Sequence, residues 1–389
     1  MTLSRRTLLA GLAVPAARAA HAQAQPVRIG VLTALSGAYQ DGAGEGSVLA
    51  ARMAAEDAGI AVDILAGDML DKPDVGLTVA RAWFDRDGVD AIVDVPNSAI
   101  ALAVAGLVRE RNKVALFTGP GAASLAGSAC SPNHLLWTYD TGALARTTGR
   151  AVLAAGGRRW FFITADYAFG HALQADTTRE IEAGGGQAVG SAAFPFPETT
   201  DFAAFLLQAQ ASGADVIGLA CTGAHLNTVV KQAAEFRLGL RLAALICLVT
   251  SVHAIGLTDA QGMMLSLPFY WDLTPATRAF AGRFAGRYGG VMPTMTQAGT
   301  YTAVLHYLRA ASGVRDGAAA VARMKARPVT DGSFTGTTIR ATGSVAHDMH
   351  LLTVKAPGEQ RYSWDYLRDE RLIPAAEAFA PVQAACVRP

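Results

Sequence analysis

The sequence predicts an α/β protein made of two doubly wound, Rossmann-like lobes, and three observations carry that expectation. From Arg28 onward, short apolar runs alternate with helix-period segments, the pattern of parallel strands joined by crossover helices. The pattern halts near Asp140 and then begins again. A chain of 389 residues, 51% of them hydrophobic, is also too long for one ordinary core.

Ahead of the first strand, Met1 to about Ala24 reads as an export leader. It has Arg5 and Arg6, an apolar segment from Leu8 to Ala17, and Ala-x-Ala patterns at Ala20-His21-Ala22 and Ala22-Gln23-Ala24. Pro15 and Arg18 interrupt a segment already too short to span a membrane, so the expected product is a soluble periplasmic protein. Ser4-Arg5-Arg6-Thr7-Leu8-Leu9 fits a twin-arginine signal, and an ordinary secretory leader fits the same residues. Removing Arg5, Arg6 and Arg18 from 33 basic side chains against 32 acidic ones takes the formal charge from +1 to −2. Such balance gives no electrostatic case for nucleic acid.

The first series of strands reads Ile29 to Leu35, Val62 to Ala66, Ala91 to Val95, Val114 to Phe117 and Leu135 to Thr138. Helices are expected between them at Gly46 to Ala58, Val75 to Asp87, Ala99 to Arg111 and Gly121 to Leu125. The second series reads Trp160 to Thr164, Gln187 to Ala193, Val216 to Ala220, Leu242 to Leu248 and Met263 to Leu267. Its helices run from Phe169 to Ala183, Phe202 to Ala211 and Leu226 to Phe236. Three further helices, Ala276 to Tyr288, Thr296 to Ala311 and Ala318 to Lys325, precede strand-like segments Leu351 to Lys355 and Tyr362 to Leu367.

Four cysteines without CxxC spacing make neither a zinc site nor a disulfide scaffold. Cys130 in a polar loop and Cys386 in the tail are candidates for one bridge in an exported protein. Cys221 and Cys247 end apolar runs and read as buried thiols.

Several strings at strand ends resemble those of one family. They are Leu35-Ser36-Gly37-Ala38-Tyr39, Val95-Pro96-Asn97-Ser98, Thr118-Gly119-Pro120-Gly121-Ala122, Trp137-Thr138-Tyr139-Asp140-Thr141, Asp166-Tyr167-Ala168-Phe169-Gly170 and Gln297-Ala298-Gly299-Thr300-Tyr301. Taken in order, they are similar to the type I periplasmic binding proteins of ABC importers, in the branched-chain amino acid (Leu/Ile/Val) binding group. The resemblance covers nearly the whole chain after the leader. It implies two lobes joined by a three-crossover hinge near Asp140, Asp272 and Thr337, with ligand trapped in the cleft between them. The first lobe would comprise 26–140 plus 272–336, and the second 141–271 plus 337–389. It also implies a monomer that works without a cofactor or metal and delivers its ligand to an inner-membrane ABC permease.

In open α/β sheets ligands bind beyond the carboxyl ends of the strands, where these strings lie. Asn97 and Ser98, at the start of a helix, are expected to hold a carboxylate with their side chains and the first-turn N–H groups. Ser98 would otherwise simply cap that helix. Gly119, Pro120, Gly121 and Ala122 should present backbone groups to the cleft, and Tyr39 and Tyr167, from equivalent turns of the two lobes, should wall an apolar ligand body. Thr222 could hydrogen-bond a ligand oxygen and His225 could add a carboxylate partner, although a lone histidine opening a helix is more often a cap or surface residue.

Amino acid binders of this group set a second-lobe carboxylate against the ligand ammonium, yet Leu245 to Gly256 contains no Asp or Glu. An unpaired buried ammonium costs several kcal/mol. Asp140 and Asp166 are the candidate substitutes, although Asp140 could equally brace the hinge. The expected ligand is therefore a small carboxylate, an oxo acid or an acid with an aromatic or apolar body; a branched-chain amino acid is the alternative. A ligand-sensing receptor subunit is the reading from another class. No Gly-x-Ser-x-Gly elbow, His-Glu-x-x-His or Walker loop supports catalysis.

Overall fold

A computed structural model describes residues 26–381, so the expected leader and Cys386 lie outside the described residues. Five strands form the first sheet: β1 (Val27–Thr33), β2 (Val62–Asp68), β3 (Ala91–Asp94), β4 (Val114–Phe117) and β5 (His134–Leu136). All pair in parallel, in the order β2-β1-β3-β4-β5. Every residue of β3 and β4 is buried, as expected of parallel strands covered by helices on both faces. Those helices are α1 (Gly44–Ala58), α2 (Pro73–Asp85) and α3 (Ser98–Glu110). Gly59, left-handed with φ 67°, ends α1.

The chain next forms α4 (Thr141–Leu144) and α5 (Arg150–Ala154), joined by a π-helical turn, and enters a second parallel sheet. Its strands β6 (Arg159–Ala165), β7 (Gln187–Phe194), β8 (Val216–Ala220) and β9 (Arg241–Ala244) lie in the order β7-β6-β8-β9. Helices α6 (Ala168–Ala183), α7 (Ala203–Ala211) and α8 (Gly223–Phe236) connect them, and α9 (Val249–Ile255) and α10 (Leu257–Ala260) follow. In each sheet the strand order reverses at one place, between β1 and β3 and between β6 and β8, and crevices open at such switch points.

Four expectations are corrected here. The strand expected over Leu242 to Leu248 ends at Ala244, and residues 245–248 turn toward the first lobe. Met263 to Leu267 does not extend the second parallel sheet: β10 (Met264–Leu267) begins an antiparallel sheet of its own. The segment Tyr362 to Leu367 is mostly loop, and Gly121 to Leu125 gives only a single 3-10 turn at Ala123–Ala126.

The chain then returns to the first lobe. Thr274 and Thr294 each form a reciprocal capping box at the heads of α11 (Pro275–Ala285) and α12 (Met295–Ala311). Thr294 Oγ1 donates to Gly42 O at 2.6 Å and Gln297 Nε2 to Ala43 O at 3.2 Å, fixing α12 beside α1. Trp137 Nε1 donates to Thr302 Oγ1 at 2.8 Å, and α13 (Gly317–Lys325) packs on α12. A short ladder of β11 (Thr338–Ile339) and β12 (Val345–Ala346) follows, and Leu136 N donates to Gly343 O at 2.9 Å. The last strands, β13 (Met349–Val354) and β14 (Leu367–Ile373), complete the antiparallel sheet in the order β10-β13-β14. Cys221 and Cys247 are free and buried, with burial pushing both thiols up to about 12, and Cys130 is disulfide-bonded.

Candidate functional site

The carboxyl ends of β1, β3, β6 and β8 converge on one cleft between the two parallel sheets, with a cavity of about 30 Å³. The β1 turn supplies Tyr39, β3 leads to Pro96, β4 to Gly119, β6 to Tyr167 and β8 to Thr222, all of which line it. A Cβ on Gly119 would sit 2.6 Å from Pro96 Cα and 2.7 Å from Asp94 Oδ1, so glycine is required for this turn to lie so close to the β3 end. Tyr139 donates its hydroxyl to Gly119 O at 2.9 Å and holds the turn from the far side.

The aromatic wall is assembled from both lobes. The Tyr39 and Tyr167 hydroxyls hydrogen-bond each other. Both rings stack on Phe196, with centroids at 5.6 and 4.4 Å. Burial pushes both phenols well above their ordinary range, so they are neutral hydroxyls at any physiological pH. Backbone also crosses the cleft: Ala224 N donates to Ala38 O at 3.1 Å. Gly223 makes this approach possible, with φ +63° and an added Cβ only 2.2 Å from Ala38 O.

Of the residues expected to hold ligand, Tyr39, Gly119, Tyr167 and Thr222 line the cleft; Asn97, Ser98, Pro120, Gly121, Ala122 and Asp140 do not. Asn97, not Ser98, caps α3, its Oδ1 accepting from Ala99 N at 3.0 Å and Ile100 N at 3.3 Å. Ser98 Oγ is fully buried and accepts from Gly121 N and Ala122 N, both at 3.3 Å. Asp140 caps α4 through Ala143 N at 2.6 Å, and desolvation raises its pKa despite nearby Arg146 and Arg340. Asp166 is bound at 2.7 Å to His171 and points to solvent. His225 is buried against Phe194 and Phe196, its Nε2 3.0 Å from Pro197 O, rather than at the surface.

The structure adds cleft residues that no strand-end string singled out. Thr250 and Ser251 come from the first turn of α9, Thr296 from that of α12, and Asn227 from one turn inside α8. Ile246 and Leu248 supply the apolar floor of the second lobe. A single charged residue, the exposed Asp41, lies among the lining set. The lining is otherwise hydroxyls, amides, rings and aliphatic groups, suited to holding a small solute by hydrogen bonds and burial.

A family model described as periplasmic binding protein matches residues 26–360. The chain belongs to that family. Among solved structures, a periplasmic binding protein from Burkholderia mallei is 38% identical, over 93% of this chain and 98% of that one, with a TM-score of 0.89. A branched chain amino acid ABC transporter periplasmic ligand-binding protein from Burkholderia xenovorans LB400 is 41% identical, over 91% and 97%, with a TM-score of 0.79. An ABC transporter solute binding protein from R. palustris, in complex with benzoate, is 19% identical over 90% and 97% with a TM-score of 0.80, a likeness of fold alone. No curated protein sequence matches this chain. As a periplasmic binding protein, the chain is the substrate-binding component of an ABC transporter, and this family is non-enzymatic. Among the described residues no helix is long and apolar enough to cross a membrane.

Proposed function

We propose that this periplasmic binding protein captures a small carboxylate with an aromatic or apolar body and encloses it by closing its two lobes about a hinge formed by the three interlobe crossings. The closed monomer would present its cargo to a membrane permease. The observation that carries this reading is the cleft's chemistry. Among the described residues that line it the one carboxylate is the exposed Asp41, and Asp140 and Asp166 are engaged elsewhere. The cleft does have the Thr222, Thr250, Ser251 and Thr296 hydroxyls to meet carboxylate oxygens, and Tyr39, Tyr167 and Phe169 to enclose an apolar body. Binding in the micromolar range needs about −8 kcal/mol, within reach of several hydrogen bonds and one buried ring.

Titration calorimetry with benzoate, 4-methyl-2-oxopentanoate and leucine tests this. The acids without an amino group are expected to bind, with leucine weaker by roughly tenfold or more. Binding of leucine alone would overturn the reading. The second reading, an apolar amino acid, draws on the exposed Asp41 among the cleft lining and on the 41%-identical branched chain amino acid ABC transporter periplasmic ligand-binding protein.

A further inference from the structure

The second-lobe wall of the cleft carries two polar atoms that no protein group satisfies. Thr222 Oγ1 and Asn227 Oδ1 are each buried without a hydrogen-bond partner, and both residues line the cleft. Thr222 is the N-cap position of α8, yet its hydroxyl makes no cap bond. Asn227 lies four residues into that helix, on the same face as Gly223 and Ala224, which also line the cleft. A hydroxyl can donate or accept, whereas Oδ1 only accepts. A buried acceptor left unpaired costs roughly 1–3 kcal/mol, so this wall favours whatever brings it a proton.

We infer that Asn227 is a specificity-determining residue that selects ligands carrying a hydrogen-bond donor, a hydroxyl or N–H, on the part of the molecule facing α8. Thr222 stands beside it to accept or return a second bond. This deepens the carboxylate reading and rests on it for the choice of probes: the preferred class becomes hydroxylated aromatic or apolar acids over their unsubstituted counterparts. A site that hydrogen-bonds a substrate hydroxyl rejects the analogue lacking it because its own polar atoms are then left unpaired. The neighbouring apolar floor of Ile246 and Leu248 offers no alternative partner.

The test measures affinities of benzoate, 3-hydroxybenzoate and 4-hydroxybenzoate for the full mature chain and for Asn227→Leu and Asn227→Asp, with circular dichroism confirming the fold. The wild type is expected to bind one hydroxybenzoate at least roughly tenfold tighter than benzoate. Asn227→Leu should erase that preference, the favoured hydroxybenzoate losing roughly tenfold more affinity than benzoate. Equal affinity of the wild type for all three acids overturns the inference, as does a uniform loss across all three in Asn227→Leu. If no acid binds and leucine does, the carboxylate reading fails separately, and Asn227 is judged on leucine. Asn227→Asp must then tighten leucine, and unchanged or weaker affinity overturns the assignment.

Discussion

The Ser98 hydroxyl, without solvent exposure, receives the N–H groups of Gly121 and Ala122 and so ties the head of α3 to the turn after β4. Ser98→Ala strands two buried donors and is expected to cost about 1–3 kcal/mol in chemical denaturation. An unchanged midpoint would show that the turn stands without it. Beneath the same turn, Asp94 is buried, accepts from Thr33 Oγ1 at 2.7 Å, and is pushed by desolvation up to about 6. Unfolded aspartate titrates near about 3.9, so the native state holds this proton more tightly than the unfolded chain does. Its contribution to stability is therefore full below about pH 4 and is lost as pH rises through about 6. Asp71, also raised to about 6 by desolvation, adds to that slope. Asp94→Asn should flatten the fall in melting temperature between pH 4 and pH 7, and identical slopes in the two proteins would refute the assignment. At this scale Tyr39, Tyr167 and Thr222 were legible because each lies in the turn that follows an apolar strand. Asn227 was not, since a polar residue one turn inside an amphipathic helix has the same sequence pattern as a solvated one.

The entry to α8 is the element that meets the opposite lobe, through Gly223 against Ala38 O. Gly223→Ala adds a methyl where 2.2 Å is available and forces a side chain onto φ +63°. The backbone strain is worth about 1–2 kcal/mol, and ligand affinity should fall roughly tenfold or more as the closed arrangement is depopulated. Calorimetry on the best ligand checks this, and wild-type affinity would show that the approach is dispensable. Element limits were readable at the fully buried β4 and β8, which fall at the residues that the apolar runs mark, while the equally buried β5 is His134–Leu136 rather than Leu135 to Thr138. They were misread where burial is one-sided. Tyr362, Trp364 and Tyr366 alternate like a strand, but Trp364 stacks on His253, its carbonyl accepts from Tyr270 and Trp271, and Tyr362 bonds Asp272. The real strand, β14, has Arg368, Asp369, Glu370 and Arg371 exposed along its middle, so no apolar pattern announces it.

For the whole molecule, the two-lobe division was visible as a pattern that restarts after Asp140, whereas the antiparallel third sheet was not, because Met264 of β10 pairs with Thr353 of β13, far along the chain. With Asp41 the single charged residue lining the cleft among the described residues, the proposed capture of an anion would depend on hydroxyls, amides and burial rather than on a cation. Benzoate affinity is accordingly expected to change less than about threefold between low and high salt, since there is little charge pairing for ions to screen. A steep salt dependence would point to a cation outside the lining set. The atoms that join the lobes most directly, Ala38 O and Ala224 N, belong to the backbone. Gly223→Ala would crowd that bond, whereas Asn227, Ile246, Leu248, Thr250 and Ser251 line the cleft without being part of it. On the proposed reading the clasp and the selector are separately heritable: new cargoes can be acquired by point substitution in the second-lobe wall while the backbone bond between the lobes is inherited intact.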